Sequence, residues 1–193
     1  MTRGRVLFLV VLLVAVGSAW ALVGGGPRWY HRTATPASLA PVATPRPDPL
    51  GRKIKARLFY VAEDGTHLDS LERDVPYADT PTDQAREILN AQIAPVAEPL
   101  ISAIPAGTAL RAVFVTPQGE AFVDLSRDVS TAHPGGTMNE LLTIYTVVHA
   151  LTFNMPAITA VQLLVDGKEV DTLAGHVDLR RPLAKNLQFT VEP

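Results

Sequence analysis

Cysteine is absent from the chain, and three options leave with it: disulfides, a thiolate metal site and a thiol nucleophile. A lipid-anchor cysteine behind an export signal is excluded as well. An exported domain of this composition relies on its core and its hydrogen bonds alone. Tryptophan is confined to Trp20 and Trp29. Beyond residue 53 the aromatic side chains are Tyr60, Tyr77, Tyr145 and phenylalanines in mostly core-like positions, a poor supply for a polysaccharide-binding surface. Positive charge is also scarce there. Residues 54–193 carry ten Lys and Arg against eighteen acids, a balance of −8, whereas residues 1–53 carry seven against Asp48 alone, +6. An acidic globular part lacks the cationic footprint that phosphate backbones require, so nucleic acid is not an expected partner.

Catalytic signatures are missing too. No Gly-x-Ser-x-Gly occurs, which removes the usual serine-hydrolase elbow. Asp124-Leu125-Ser126 puts a carboxylate and a hydroxyl at a strand end, and His133 or His176 could complete a triad on paper. Asp and Ser in such places ordinarily cap and terminate strands. His31, His67, His133, His149 and His176 lie far apart without metal-ligand spacing, which reads as ordinary surface or half-buried imidazoles. Gly135-Gly136 has neither a Gly-Lys-Ser/Thr after it nor a strand just before it, so no phosphate loop is expected. Asp124, Asp128, Asp166 and Asp178 are the carboxylates available for glycoside hydrolysis, and all fall at predicted turns or strand ends. No catalytic residue, cofactor, metal or small-molecule substrate is expected.

The positive features start at the N-terminus. Arg3 and Arg5 precede an uncharged run, residues 6–23. As a helix it would span roughly 27 Å, enough for a hydrocarbon core. Ala19-Trp20-Ala21 equally fits a signal-peptide cleavage pattern. Residues 1–23 are therefore either a retained single-pass anchor, N-terminus inside, or a cleaved signal; both export the rest of the chain. Residues 24–53 contain Gly24-Gly25-Gly26-Pro27, Trp29-Tyr30, and Pro36, Pro41, Pro45, Pro47 and Pro49. That composition predicts a semi-extended stalk reaching on the order of 90 Å. Trp29 and Tyr30 suit a membrane interface if the anchor is retained.

From residue 54 the pattern becomes globular. Residues 54–61 read as a strand, and 68–75 as a mixed extended segment that could add a short one. Thr80-Pro81-Thr82-Asp83 opens a helix with Ala85, Ile88, Leu89 and Ile93 at helical spacing. Residues 110–115 and 120–125 read as a hairpin through Pro117-Gln118-Gly119. Thr137-Met138-Asn139-Glu140 reads as a capping box, opening a helix with Leu141, Ile144, Val148 and Leu151 on one face. Residues 158–165 form the next strand, and Asp166-Gly167 turns it into 168–170. The expectation is an α+β domain in the order β-α-β-β-α-β plus a trailing hairpin strand, a mostly antiparallel sheet with two helices on one face. The domain covers 54–184, with 185–193 as a C-terminal strand or tail.

The ordered motifs carry a resemblance. Leu58-Phe59-Tyr60, Glu72-Arg73-Asp74-Val75, Ser102-Ala103-Ile104-Pro105-Ala106-Gly107-Thr108, Val123-Asp124-Leu125-Ser126, Leu164-Val165-Asp166-Gly167-Lys168 and Gly175-His176-Val177-Asp178 occur in the order of the GerMN domain of sporulation and spore germination. The region 54–184 resembles a single such domain. The resemblance implies a non-enzymatic, membrane-attached, extracytoplasmic module, similar to ring-building modules of envelope-spanning assemblies. The family's namesake has tandem domains and a lipid-anchor cysteine; this chain has one domain and no Cys, and the family also occurs outside spore formers. The expected partners are the membrane through 6–23 and an envelope protein or a second copy. Most recurring residues read as structural, such as Gly175 at a positive φ. His176 and Asp178 are the exposed-looking polar pair expected either to stabilise the turn or to touch a partner.

Overall fold

The computed structural model describes residues 51–190. The expected anchor or signal (1–23), the stalk up to residue 50 with Trp29, Tyr30 and His31, and residues 191–193 lie outside the described residues.

Strand β1 (Lys53–Val61) pairs antiparallel with β2 (Leu68–Pro76) over their full lengths, from Lys53 opposite Pro76 to Val61 opposite Leu68. The link is an Asx turn: the Asp64 carboxylate accepts from the Thr66 backbone N–H at 2.9 Å and from its hydroxyl at 2.8 Å. β2 is thus a nine-residue strand, longer than its mixed sequence suggests. Asp69, Leu71, Glu72, Arg73 and Asp74 are exposed, so the alternation that marks a half-buried strand is missing.

Helix α1 (Pro81–Ile93) starts as expected, with the Thr80 hydroxyl accepting from the Asp83 N–H at 3.1 Å and Pro81 in the first turn. Its buried stripe is Ala85, Ile88, Leu89 and Gln92. A long connection then leads to the hairpin of β3 (Leu110–Val115) and β4 (Glu120–Leu125). Gly119 turns it at φ 87°, where a Cβ would also lie 2.4 Å from the Ala157 carbonyl oxygen.

After a single turn, α2 (Asp128–Thr131), helix α3 (Thr137–Asn154) carries the chain to β5 (Ala160–Val165), which runs parallel to β4. Parallel neighbours need such a crossover. β6 (Lys168–Glu169) comes after a two-residue turn in which Asp166 and Gly167 take φ 51° and 76°, the left-handed pair of a tight hairpin. β7 (Leu183–Ala184) returns to β5 at Ala160 and Val161. The final 3-10 turn, η1 (Leu187–Phe189), stacks Phe189 on Tyr145 with centroids 4.7 Å apart.

The class is α+β with mostly antiparallel pairing. The sheet comes in two pieces, β1-β2 and β3-β4-β5-β6 with β7 beside β5. The break has a physical cause: the second edge of β1 is already bonded. Gln92 accepts from the Phe59 N–H and donates to the Phe59 carbonyl, both at 2.8 Å. Asn154 does the same for Arg57 at 2.7 Å and 2.7 Å, and the Val61 N–H reaches the Ile101 carbonyl at 2.8 Å. Two side-chain amides and one backbone group stand in for a missing strand.

The core lies where α1 and α3 meet the strands, with Val113, Ala121, Val123, Leu125, Val161 and Leu163 buried on the five-stranded sheet. Residues 142–152 of α3 are buried on all sides, so the helix shows no single apolar face. Leu141 is only half-buried. The capping box at its start does not form. Gly136, at φ 87°, is the N-cap and has no side chain to cap with, so Thr137 falls inside the helix, and the Glu140 carboxylate is drawn inward to another partner.

Candidate functional site

That partner is the loop carrying the Gly-His-x-Asp motif. Glu140 is fully buried. One carboxylate oxygen accepts from the backbone N–H groups of Leu173 and Ala174 at 2.8 and 2.9 Å. The other takes the His176 N–H at 2.9 Å and contacts the His176 ring Nδ1 at 3.2 Å. Burial pushes the Glu140 pKa up, but the three backbone donors and His176 outweigh it and leave it below the usual value. His176 therefore sits as a half-exposed lid on a buried carboxylate. Asp178 points elsewhere. Arg180 grips it through the backbone N–H at 3.0 Å and through Nε and Nη2 at 2.9 and 2.7 Å, which holds its carboxyl far below the ordinary range. The two residues shape one loop through different contacts.

Asp124 and Asp166 are brought together. Arg111 lies between them, its Nε 3.1 Å from Asp124 and its Nη1 3.1 Å from Asp166, with Arg127 3.5 Å from Asp166. Asp124 also accepts the Gly167 N–H at 2.7 Å, so it latches the β5-β6 turn onto the end of β4. Arg111 bridges the two carboxylates and Arg127 adds a second positive charge beside Asp166, so both acids are ion-paired within the fold. Ser126 donates to Asp128 at 2.9 Å and accepts the Ala109 N–H at 3.0 Å; it meets neither His133 nor His176. The triad geometry is not assembled.

His133 accepts the Gly135 N–H on Nδ1 at 2.9 Å, which leaves Nε2 to donate to the Thr143 hydroxyl at 3.1 Å. Thr143 in turn donates to the Ala103 carbonyl at 2.7 Å. This relay ties the 94–109 connection to the start of α3. His67 lies beside Asp64 and Asp69 at 3.1 and 3.7 Å. His149 is buried between Phe59, Tyr145 and Phe153, with ring centroids 5.3 Å away in each case. Burial drives its pKa down to about 4, with the Asn186 backbone opposing and the Lys185 charge adding to the fall. No group of three or more His, Asp or Glu side chains among the described residues could hold a metal ion.

Two open surfaces stand out first among the described residues. A groove of about 720 Å³ runs along the 94–109 connection, lined by Ile93, Val96, Leu100, Ile101, Ala106 and Pro134. On the far face of the five-stranded sheet Phe114 is 59% exposed, opposite Phe122 in register. Sequence reasoning placed the phenylalanines mostly in the core and did not find the groove or the amide clamps. Gln92 had a signal: it is the polar member of the stripe Ala85, Ile88, Leu89, Gln92. No helix among the described residues is long and apolar enough to cross a membrane.

The model of the family Germane, described as "Sporulation and spore germination", matches residues 57–171. The tandem GerMN domains of the sporulation protein GerM from Bacillus subtilis are similar at 17% identity and TM-score 0.52, covering 69% of this chain and 46% of that one. The first GerMN domain of that protein has 17% identity and TM-score 0.48, covering 68% and 98%. A Clostridium perfringens protein described as a lipoprotein has 22% identity and TM-score 0.49, covering 74% and 93%. The comparison with curated proteins finds no match. With the family model covering more than half of its length, the chain belongs to the Germane family of sporulation and spore germination domains.

Proposed function

We propose that the chain is a non-enzymatic module of the bacterial cell envelope that holds partner proteins, or copies of itself, in an assembly, with sporulation or germination among its settings. Its domain faces the extracytoplasmic side, tethered by residues 6–23 or released after cleavage behind Ala21. One observation carries this reading. The polar side chains that could do chemistry spend their bonding capacity on the fold: Glu140 on the 173–176 backbone, Asp124 on Gly167 and Arg111, Asp178 on Arg180, His133 on Gly135 and Thr143. The surface offers instead side chains suited to contact, including Ile101 and Phe114. His176, with its ring partly exposed over Glu140, is the polar contact candidate of the motif loop, and Asp178 the second. Cross-linking of the full chain in cells, with mass measurement of the solubilised protein, tests the proposal. A cross-linked neighbour or a multimer is expected; a monomer without neighbours overturns it.

The exposed Phe114 beside Phe122 favours a second reading, a cell-wall or polysaccharide-binding module, since a flat aromatic face is what sugars stack on. Retention on purified wall material, lost in Phe114→Ala, is its test. An envelope hydrolase is the third reading; it requires turnover that Asp124→Asn or His176→Ala abolishes, and no turnover is expected.

A further inference from the structure

The domain treats its strand edges unequally. On β1 the N–H groups of Arg57, Phe59 and Val61 point away from β2 and are all bonded, to Asn154, Gln92 and Ile101. The far edge of β5 is shared by β6 and β7. On β3 the Val115 N–H reaches the Thr82 hydroxyl at 3.3 Å, while the outward Val113 N–H has no hydrogen-bond partner among the described residues. β2 offers the longer open stretch. Because the odd-numbered residues of β1 face away from it, the register leaves Asp69, Leu71, Arg73 and Val75 bonding inward. The backbone groups of Ser70, Glu72 and Asp74 then point outward, as alternation requires. Thr190 covers this edge at Leu68, bridging it in parallel and donating its hydroxyl to the Leu68 carbonyl at 3.1 Å. Nothing among the described residues covers Ser70, Glu72 or Asp74.

A cavity of about 240 Å³ adjoins the same stretch, lined by Tyr60, Glu63, Asp69, Ser70, Leu71 and Leu100 among others. Tyr60 is 2% exposed, and its hydroxyl has no hydrogen-bond partner within the fold. A buried phenol normally finds one. The walls are apolar at Leu71 and Leu100 and acidic at Glu63 and Asp69, and the chain's own Arg73 guanidinium lies 5.7 Å from the Tyr60 ring centroid, offsetting part of that acidity. That is the profile of a slot for a long cationic side chain, whose stem packs on the leucines while its head meets the acids and donates to Tyr60. A second copy does not suit the edge: antiparallel self-pairing about Glu72 would set Glu72 opposite Glu72 and bring more acids alongside, a like-charge arrangement that destabilises.

We infer that β2 is a docking edge for an extended segment of a partner protein, which adds as a strand beside Ser70–Glu72–Asp74 and places a Lys or Arg in the slot under Tyr60. This rests on the assembly reading and names its surface. Backbone pairing supplies affinity, and the slot supplies the preference for a basic residue.

The test titrates the full chain, solubilised in detergent, with a pool of octapeptides bearing Lys or Arg at alternate positions, against a matched pool bearing Glu or Asp. The basic pool is expected to bind and the acidic pool not. Glu72→Pro removes an outward N–H without touching the β1 ladder, and binding should fall at least about tenfold. Tyr60→Phe removes one hydroxyl, leaves stability unchanged or raised, and should weaken binding by about three- to tenfold. Equal binding of both pools, no binding of the basic pool at millimolar concentration, or indifference to Glu72→Pro and Tyr60→Phe overturns the inference. A photocrosslinker at position 72, compared with one at Phe114, separates the two levels in cells. Cross-links from 114 alone overturn the β2 assignment and leave the assembly reading standing, a 72-to-72 cross-link replaces the partner segment with a second copy, and none from either removes both.

Discussion

Glu140 shows what one buried charge does in this fold. Its oxygens gather four contacts from a loop 33–36 residues away in sequence, so the loop's position depends on a carboxylate in the first turn of α3. Glu140→Gln keeps the contacts at one oxygen and turns an NH2 toward the His176 N–H. The expected cost is about 1.5–3 kcal/mol by urea denaturation. The sign of the pH dependence is fixed by the direction of the shift. The folded pKa of Glu140 is depressed, so its contribution is present above the unfolded carboxylate value and is lost as pH falls through the folded one. His149 acts over a higher window. Its folded pKa of about 4 lies below the ordinary 6.5, so the unfolded chain binds the extra proton between those values and stability rises with pH across them. His149→Phe should flatten the urea midpoint between pH 4 and 6.5. The motif around Glu140 was visible in the sequence as Thr-x-x-Glu and Gly-His-x-Asp, but their pairing was not. A Glu three residues into a helix serves equally as a cap or as a buried anchor, and only the tertiary fold decides.

At the level of elements, most of the order was legible because the signals are local. The Thr80-Pro81 start of α1, the Gly119 turn and the Asp166-Gly167 hairpin all depend on neighbours in sequence. The two-piece sheet was not legible, since it depends on Gln92 and Asn154 reaching β1 from different helices across 33 and 97 residues. Gln92→Leu would keep the volume and strand the buried N–H and C=O of Phe59. A loss of at least about 2 kcal/mol is expected in thermal or urea unfolding. Gly119→Ala tests the β3-β4 turn. A positive φ costs about 1–2 kcal/mol for an L side chain, and the new Cβ 2.4 Å from the Ala157 oxygen forces the β5 entry to move. The measured loss should exceed the conformational cost alone.

Over the whole molecule, charge is divided by region, +6 in residues 1–53 and −8 in 54–193. The globular part should therefore prefer basic partners and avoid anionic surfaces, and raising salt from 50 to 500 mM should weaken its capture of a basic partner while leaving apolar contacts intact. Pull-downs of the full chain across that range check it. The amide-clamped first strand has a mechanical consequence. β1 is the first described element, so a pull applied from the N-terminal side enters the domain at Lys53. Directed along the strand, such a load meets nine register pairs with β2 together with the grips of Gln92 and Asn154. They are strained in parallel rather than peeled in succession, so the domain should resist shear from its N-terminal side better than its modest two-stranded sheet suggests.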